Sequence, residues 1–173
     1  MRGMSLMCAA VLVSGVAMAQ APAGPAGPAA EVQRSYASQK TNILKAADKM
    51  PEANYALVPM PEVRTFARVV NHITEAQFRS CGVSNGNKEF GKPPADTADK
   101  ATIIAALNAS FAECDKAFAG TTDENFMEMY PLGQGKRSRA GLMWGTVSHD
   151  NEQYSTLAMY LRLKGIAPPS SEK

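Results

Sequence analysis

The stretch SRAGLMWGTVSHDNEQYSTLAMYLRLKG, residues 138–165, decides the fold. It carries the signals of one long helix. Ser138 is a good N-cap, because its side-chain oxygen can accept from a free backbone N–H of the first turn. Gly165 stands where a left-handed residue ends a helix, and Pro168 and Pro169 forbid a restart. Arg162 and Lys164 lie in the last turn, where positive charge suits the helix dipole. Met143, Val147, Tyr154, Leu157 and Leu161 recur at helical spacing and form an ordinary core stripe. Leu142, Thr146, His149, Gln153 and Tyr160 form the adjoining stripe. A histidine and an amide at the edge of a helical core need partners, and a metal or a bound ligand is one way to supply them.

Working outward, the chain has 173 residues, enough for one domain with a real core. Its formal net charge is +2, its aromatic residues are scattered, and no basic stretch is interleaved with them. This balance argues neither for nucleic acid nor for a membrane surface, and without a basic patch no nucleic-acid partner is expected. Residues 1–19 read as a signal peptide: Arg2 supplies the positive start, residues 6–18 the apolar run, and Ala17-Met18-Ala19 the small-x-small cleavage site. The apolar run is short for a membrane span. Cleavage after Ala19 predicts a mature protein that is periplasmic or secreted and not embedded in a membrane. Residues 20–30, QAPAGPAGPAA, are a flexible leader that cannot bury surface.

The folded region is expected over residues 31–170. Val32, Tyr36, Gln39, Ile43, Ala46 and Met50 give the core face of a first helix over 31–49, stopped by Pro51. Tyr55, Leu57 and Val58 are expected to tuck against the helices from an extended segment. A second helix is predicted to start at Pro61 and end at Gly82, with Val63, Phe66, Ala67, Val70, Ile73 and Gln77 inward and His72 beside them. The Gly-, Asn- and Pro-rich stretch before residue 98 reads as a long crossover, which lets helix three run parallel to helix two. Helix three is expected over 98–119, capped by Thr97 and stopped by Gly120, with Ile103, Ile104, Leu107, Phe111, Cys114 and Phe118 inward. TTDENFMEM suggests one short helical turn and PLGQGKR a loop. No strand pattern is visible, so the fold class is all-α, a four-helix bundle.

Two cysteines remain after signal cleavage, Cys81 and Cys114. An even count in an oxidising compartment favours a disulfide over two buried thiols, and parallel second and third helices would bring the pair to one end of the bundle.

Residues 45–77, KAADKMPEANYALVPMPEVRTFARVVNHITEAQ, and 149–170, HDNEQYSTLAMYLRLKGIAPPS, resemble the DinB family, the DinB/YfiT-like metalloenzymes. The likeness lies in the Met-Pro and Tyr turn, the inward histidine of helix two, and the Y-L-R-x-x-G ending of the last helix. It implies an up-down-down-up bundle with a long crossover between helices two and three. It also implies that one histidine of helix two and two of helix four bind a divalent metal. His72 and His149 match the first two of these positions, and the third holds Gln153. The chain has no other histidine. Two imidazoles and a neutral amide make a weaker site than three imidazoles, and Glu152 is spaced to serve as a substitute ligand.

The expectation is an exported metal-dependent enzyme of transferase or hydrolase type, using Zn, Ni or Fe on a small molecule, with the oligomeric state open and a homodimer suggested by the family resemblance. The alternative is a metal-free, non-catalytic binding or structural protein of the cell envelope, in which His72, His149 and Gln153 survive as a polar cluster. Asp150 is expected on a solvated helix face, Arg162 in a structural ion pair, and Trp144 in core or interface packing.

Overall fold

A computed structural model describes residues 27–172. The expected signal peptide and residues 20–26 of the leader lie outside these residues. The described chain forms four helices around one core, with a small two-stranded sheet before the last helix.

Helix α1 (Pro28–Lys49) begins earlier than Glu31. Pro28 is pre-set for a first helical residue, and the carboxylate of Asp123 accepts from the backbone N–H of Ala29 at 2.8 Å. The end of the leader is therefore helix, with Ala29 and Ala30 buried. Val32, Tyr36, Ile43, Ala46 and Met50 all point inward, as their spacing predicts. Of the segment that follows, Tyr55 is buried and donates to the Ala47 carbonyl at 2.8 Å, while Val58 is exposed, contrary to expectation.

Helix α2 (Phe66–Ser84) starts later than Pro61, because Thr65 is the working cap: its hydroxyl accepts from Arg68 N–H at 3.0 Å. It also runs past Gly82, to which no left-handed conformation is assigned. Gly82 instead leaves room for the crossover, since a Cβ there would stand 2.7 Å from the ring of Phe90. The crossover is tied back by Asn71, which is buried and donates to the Pro94 carbonyl and to Asp96.

Helix α3 (Lys100–Ala119) is capped by Asp99 rather than Thr97, with Asp99 accepting from Thr102 N–H at 2.8 Å. Cys81 and Cys114 are joined by a disulfide between α2 and α3, with Cα atoms 4.9 Å apart.

The expected loop PLGQGKR, residues 131–137, is instead part of a β-hairpin that begins at Met129, inside the stretch expected to form a helical turn. Strand β1 (Met129–Leu132) pairs antiparallel with β2 (Gly135–Ser138), Leu132 facing Gly135. Gly133, at φ 61°, opens the two-residue turn, the pattern of a type II′ hairpin that needs glycine at its first central position. Arg139 clamps the hairpin to the helices: its guanidinium bonds to the Tyr130 hydroxyl and donates to Ser84 Oγ at 3.2 Å.

Helix α4 (Arg139–Leu163) has Ser138 as its cap, with Oγ accepting from Gly141 N–H at 3.1 Å. It ends as the sequence indicates. Gly165 has φ 72°, and the N–H groups of Ile166 and Gly165 bond to the carbonyls of Leu161 and Arg162, a Schellman closure. Both inward stripes of α4 are used. Leu142, Met143, Leu157, Tyr160 and Leu161 are within 1% of full burial, whereas Trp144 is 42% exposed and does not belong to the core. None of the helices is long and apolar enough to cross a membrane, among the described residues.

Candidate metal centre

His72 comes from the middle of α2 and His149 from the third turn of α4. Both are half-buried beside the core stripes that fix their helices. Their Nε2 atoms face each other at 3.1 Å, with ring centroids 4.9 Å apart and the planes at 68°. They line one wall of a cleft of about 660 Å³. Its apolar floor is Ala76, Leu132 and Leu142, and its rim carries Arg64, Arg68, Arg79 and Arg137. Burial, then the Arg64 guanidinium, the neighbouring His149 ring and Arg68, pushes the His72 imidazole below its ordinary value and favours its neutral form.

Behind His149 lies a buried polar chain. Asp150, expected on a solvated face, is fully buried. It points across the core because the residue after an edge histidine turns toward α2. Its Oδ2 accepts from Gln77 Nε2 at 2.9 Å, and Gln77 Oε1 accepts from Ser110 Oγ of α3 at 2.8 Å. Its Oδ1 has no hydrogen-bond partner, and neither has Nδ1 of His149, 3.9 Å away. Desolvation pushes the Asp150 carboxyl above the usual carboxylate range, against the neighbouring His149 ring and the hydrogen bond from Gln77, which pull it down. Thr146 Oγ1 and Ser80 Oγ, 2.8 Å apart, close the polar edge toward the start of α4.

The third sequence-matched position, Gln153, is buried and makes no hydrogen bond among the described residues. With the exposed Glu152 it lines a neighbouring depression that shares Arg64 with the cleft of the two histidines. Among the described residues no group of three His, Cys, Asp or Glu side chains could hold a metal ion. Two imidazole nitrogens at 3.1 Å nevertheless stand as neighbouring ligands of one ion do when each is about 2.1 Å from it. The donors present fit a two-imidazole site open to the cleft, weaker than a three-imidazole one.

Sequence reasoning missed the buried role of Asp150 with its partners Gln77 and Ser110, and the arginine rim. The rim had a signal: Arg68, His72, Glu75 and Arg79 recur at three- and four-residue steps along one side of α2, with Arg64 four residues before Arg68 and just ahead of the helix. Arg137 had none, since it reaches the cleft from the unrecognised hairpin.

Residues 35–157 match the family model of the DinB superfamily, and the chain belongs to that superfamily. The fold is similar to the crystal structure of a DinB-like protein from Bacillus cereus, at TM-score 0.65 and 15% identity, over 80% of this chain and 93% of that one. It is also similar to a DinB-like protein from Bacillus subtilis, at TM-score 0.61 and 15% identity, over 78% and 92%. A third similar structure is a mycothiol-dependent maleylpyruvate isomerase, at TM-score 0.60 and 13% identity, over 75% of this chain and 60% of that enzyme. No protein of curated function matches the chain in sequence.

Proposed function

We propose that this is an exported, metal-dependent enzyme of the DinB type that acts on a small molecule in the cleft, with His72 and His149 as ligands of a divalent ion and Gln153 as the weak third donor. The observation that carries the reading is the 3.1 Å approach of two imidazole Nε2 atoms at a cleft wall. The disulfide supports an oxidising compartment, in line with the signal peptide read at residues 1–19. The up-down-down-up course is supported by the residues that meet: Tyr36 with Asp115, Gln39 with Asn151, Ser80 with Thr146, and the Tyr160 hydroxyl with the Arg64 carbonyl.

When bound, a divalent ion such as Zn, Ni or Fe supplies Lewis acidity to a transferase or hydrolase reaction. The chain's own residues prepare for it. Burial and the nearby guanidinium groups favour the neutral His72 ring, which is able to give a lone pair. Asp150 Oδ1 faces His149 Nδ1, and a carboxylate there favours the tautomer with its proton on Nδ1 and a free lone pair on Nε2. Gln77 and Ser110 hold Asp150 in place from the other side. The apolar floor of the cleft displaces water from a bound molecule.

A second reading, a metal-free binding protein of the cell envelope, is favoured by Gln153 and by the lack of a three-ligand group among the described residues. In it His72 Nε2–H donates to His149 Nε2 and the pair is a hydrogen-bonded contact. Calorimetric titration of chelator-stripped protein with zinc separates the two. The metal reading expects saturable binding that His149→Ala abolishes and Gln153→His tightens by more than tenfold, as about 10–100-fold follows even from losing an outer partner. Binding only in Gln153→His would establish the second reading.

A further inference from the structure

We infer that the cleft selects a small anion: a molecule with an apolar body and a carboxylate or phosphate group, held by Arg64, Arg79 and Arg137 beside the two histidines. The inference rests on the reading of this cleft as the ligand site, and not on the metal.

The first ground is charge. The whole chain carries a net charge of only +2, yet four guanidinium groups line this one cleft. The acid among the lining residues is Glu75, and it is already engaged, 3.2 Å from Arg68. The guanidinium groups of Arg64, Arg79 and Arg137 have no hydrogen-bond or ion-pair partner among the described residues. Cations gathered on low-dielectric walls concentrate field toward an incoming anion, and the guanidinium fork matches carboxylate and phosphate oxygens two at a time.

The second ground is that Arg137 is built into its place. It leaves β2 and lies flat on α4 over Gly141 and Gly145. A Cβ on Gly141 would stand 3.1 Å from Arg137 Cγ, and one on Gly145 would stand 3.6 Å from Nη1. Glycine weakens a helix interior, and here two of them, four residues apart, leave the channel in which the arginine stem rests. That channel delivers the guanidinium to the recess shared with His149 and Thr146. The clamp of Arg139 on Tyr130 and Ser84 fixes the hairpin that carries Arg137 and Leu132.

The apolar floor then sets the rest of the ligand. Ala76, Leu132 and Leu142 offer no hydrogen-bonding side chain, so the part of the molecule below the anionic group is hydrocarbon or aromatic. The volume, about 660 Å³, is that of a site for an ordinary metabolite.

The test is calorimetric binding of phenyl phosphate, phthalate and neutral benzyl alcohol to the mature protein, stripped of metal and again after zinc addition. The expected result is binding of one or both anions to stripped protein, with benzyl alcohol weaker by more than about tenfold. Preference between phenyl phosphate and phthalate identifies the anionic group. Arg137→Gln should weaken the preferred anion about tenfold and Arg79→Gln with Arg137→Gln about a hundredfold, while Arg137→Lys retains part of the affinity. Raising the salt concentration should weaken the anions and leave benzyl alcohol unchanged. Circular dichroism checks that the variants are folded. Anions no tighter than benzyl alcohol, or anion affinity unchanged in the double arginine variant, would overturn the inference. A protein that binds anions but takes up no zinc defeats only the metal reading; one that takes up zinc but prefers benzyl alcohol defeats only this inference.

Discussion

Breaking the link between Cys81 and Cys114 should cost several kcal/mol while leaving every helix intact. The bond closes a loop of sequence separation 33, and both cysteines are fully buried. In the chain-entropy description, a cross-link stabilises by removing freedom from the unfolded chain, and a loop of this length is worth about 3.7 kcal/mol at 25 °C. For a domain of this size that corresponds to a fall of about 10 °C in Tm. Two comparisons isolate the effect. Wild type with and without reductant keeps both sulfurs in the core and changes only the bond. Cys81→Ala with Cys114→Ala also removes the sulfurs and should lose a further ~1–2 kcal/mol of packing. The assay is guanidinium unfolding followed by far-UV circular dichroism. The reduced protein should show a lower midpoint and a steeper dependence on denaturant, because its unfolded state is freer to expand. A loss below about 1 kcal/mol on reduction, with the bond shown to be present beforehand, would refute the reasoning that the link acts on the unfolded chain.

Thr65→Ala removes the acceptor for Arg68 N–H, and should cost about 1 kcal/mol in urea unfolding, where Pro61→Ala costs less. Leu157→Ala opens a cavity at a fully buried position and should cost about 2–5 kcal/mol by the same assay. Glu113 accepts from Asn85 and Asn87, and the Asn85 bond first of all holds its carboxyl below the usual range. Because the folded-state value is the depressed one, its contribution is present above the unfolded value and is lost as pH falls through the folded one. Glu113→Gln should therefore be less stable than wild type at pH 7, with the gap closing toward pH 3, as read from urea midpoints at both pH values.

The reading of α4 from sequence rests on signals that act within a few residues, namely a serine cap, two apolar stripes and a glycine stop, and the structure uses all three. The starts of α2 and α3 were less legible because several good caps compete nearby. Pro61 and Thr97 are plausible first residues on propensity alone, and Thr65 and Asp99 win because their side chains reach the N–H groups three residues on. The hairpin escaped because its strands are four residues long, one contains Pro131, and neither alternates apolar with polar residues. Its one signal was Gly133 before a single residue and Gly135. At the site, His72 and His149 could be singled out by type and position, and they do meet. Asp150 could not, since an acid beside a half-exposed histidine reads as solvated. Its burial depends on Gln77 and Ser110, which come from two other helices.

The central claim is that His72 and His149 serve a metal despite Gln153. Elemental analysis of the mature protein, purified without chelators or a metal-binding tag and compared with His72→Ala, tests it most directly. The account predicts close to one zinc, nickel or iron per wild-type chain and a loss of most of it in the variant. A wild-type protein that carries no more metal than His72→Ala, both as purified and after incubation with excess zinc, nickel and iron followed by desalting, would contradict it.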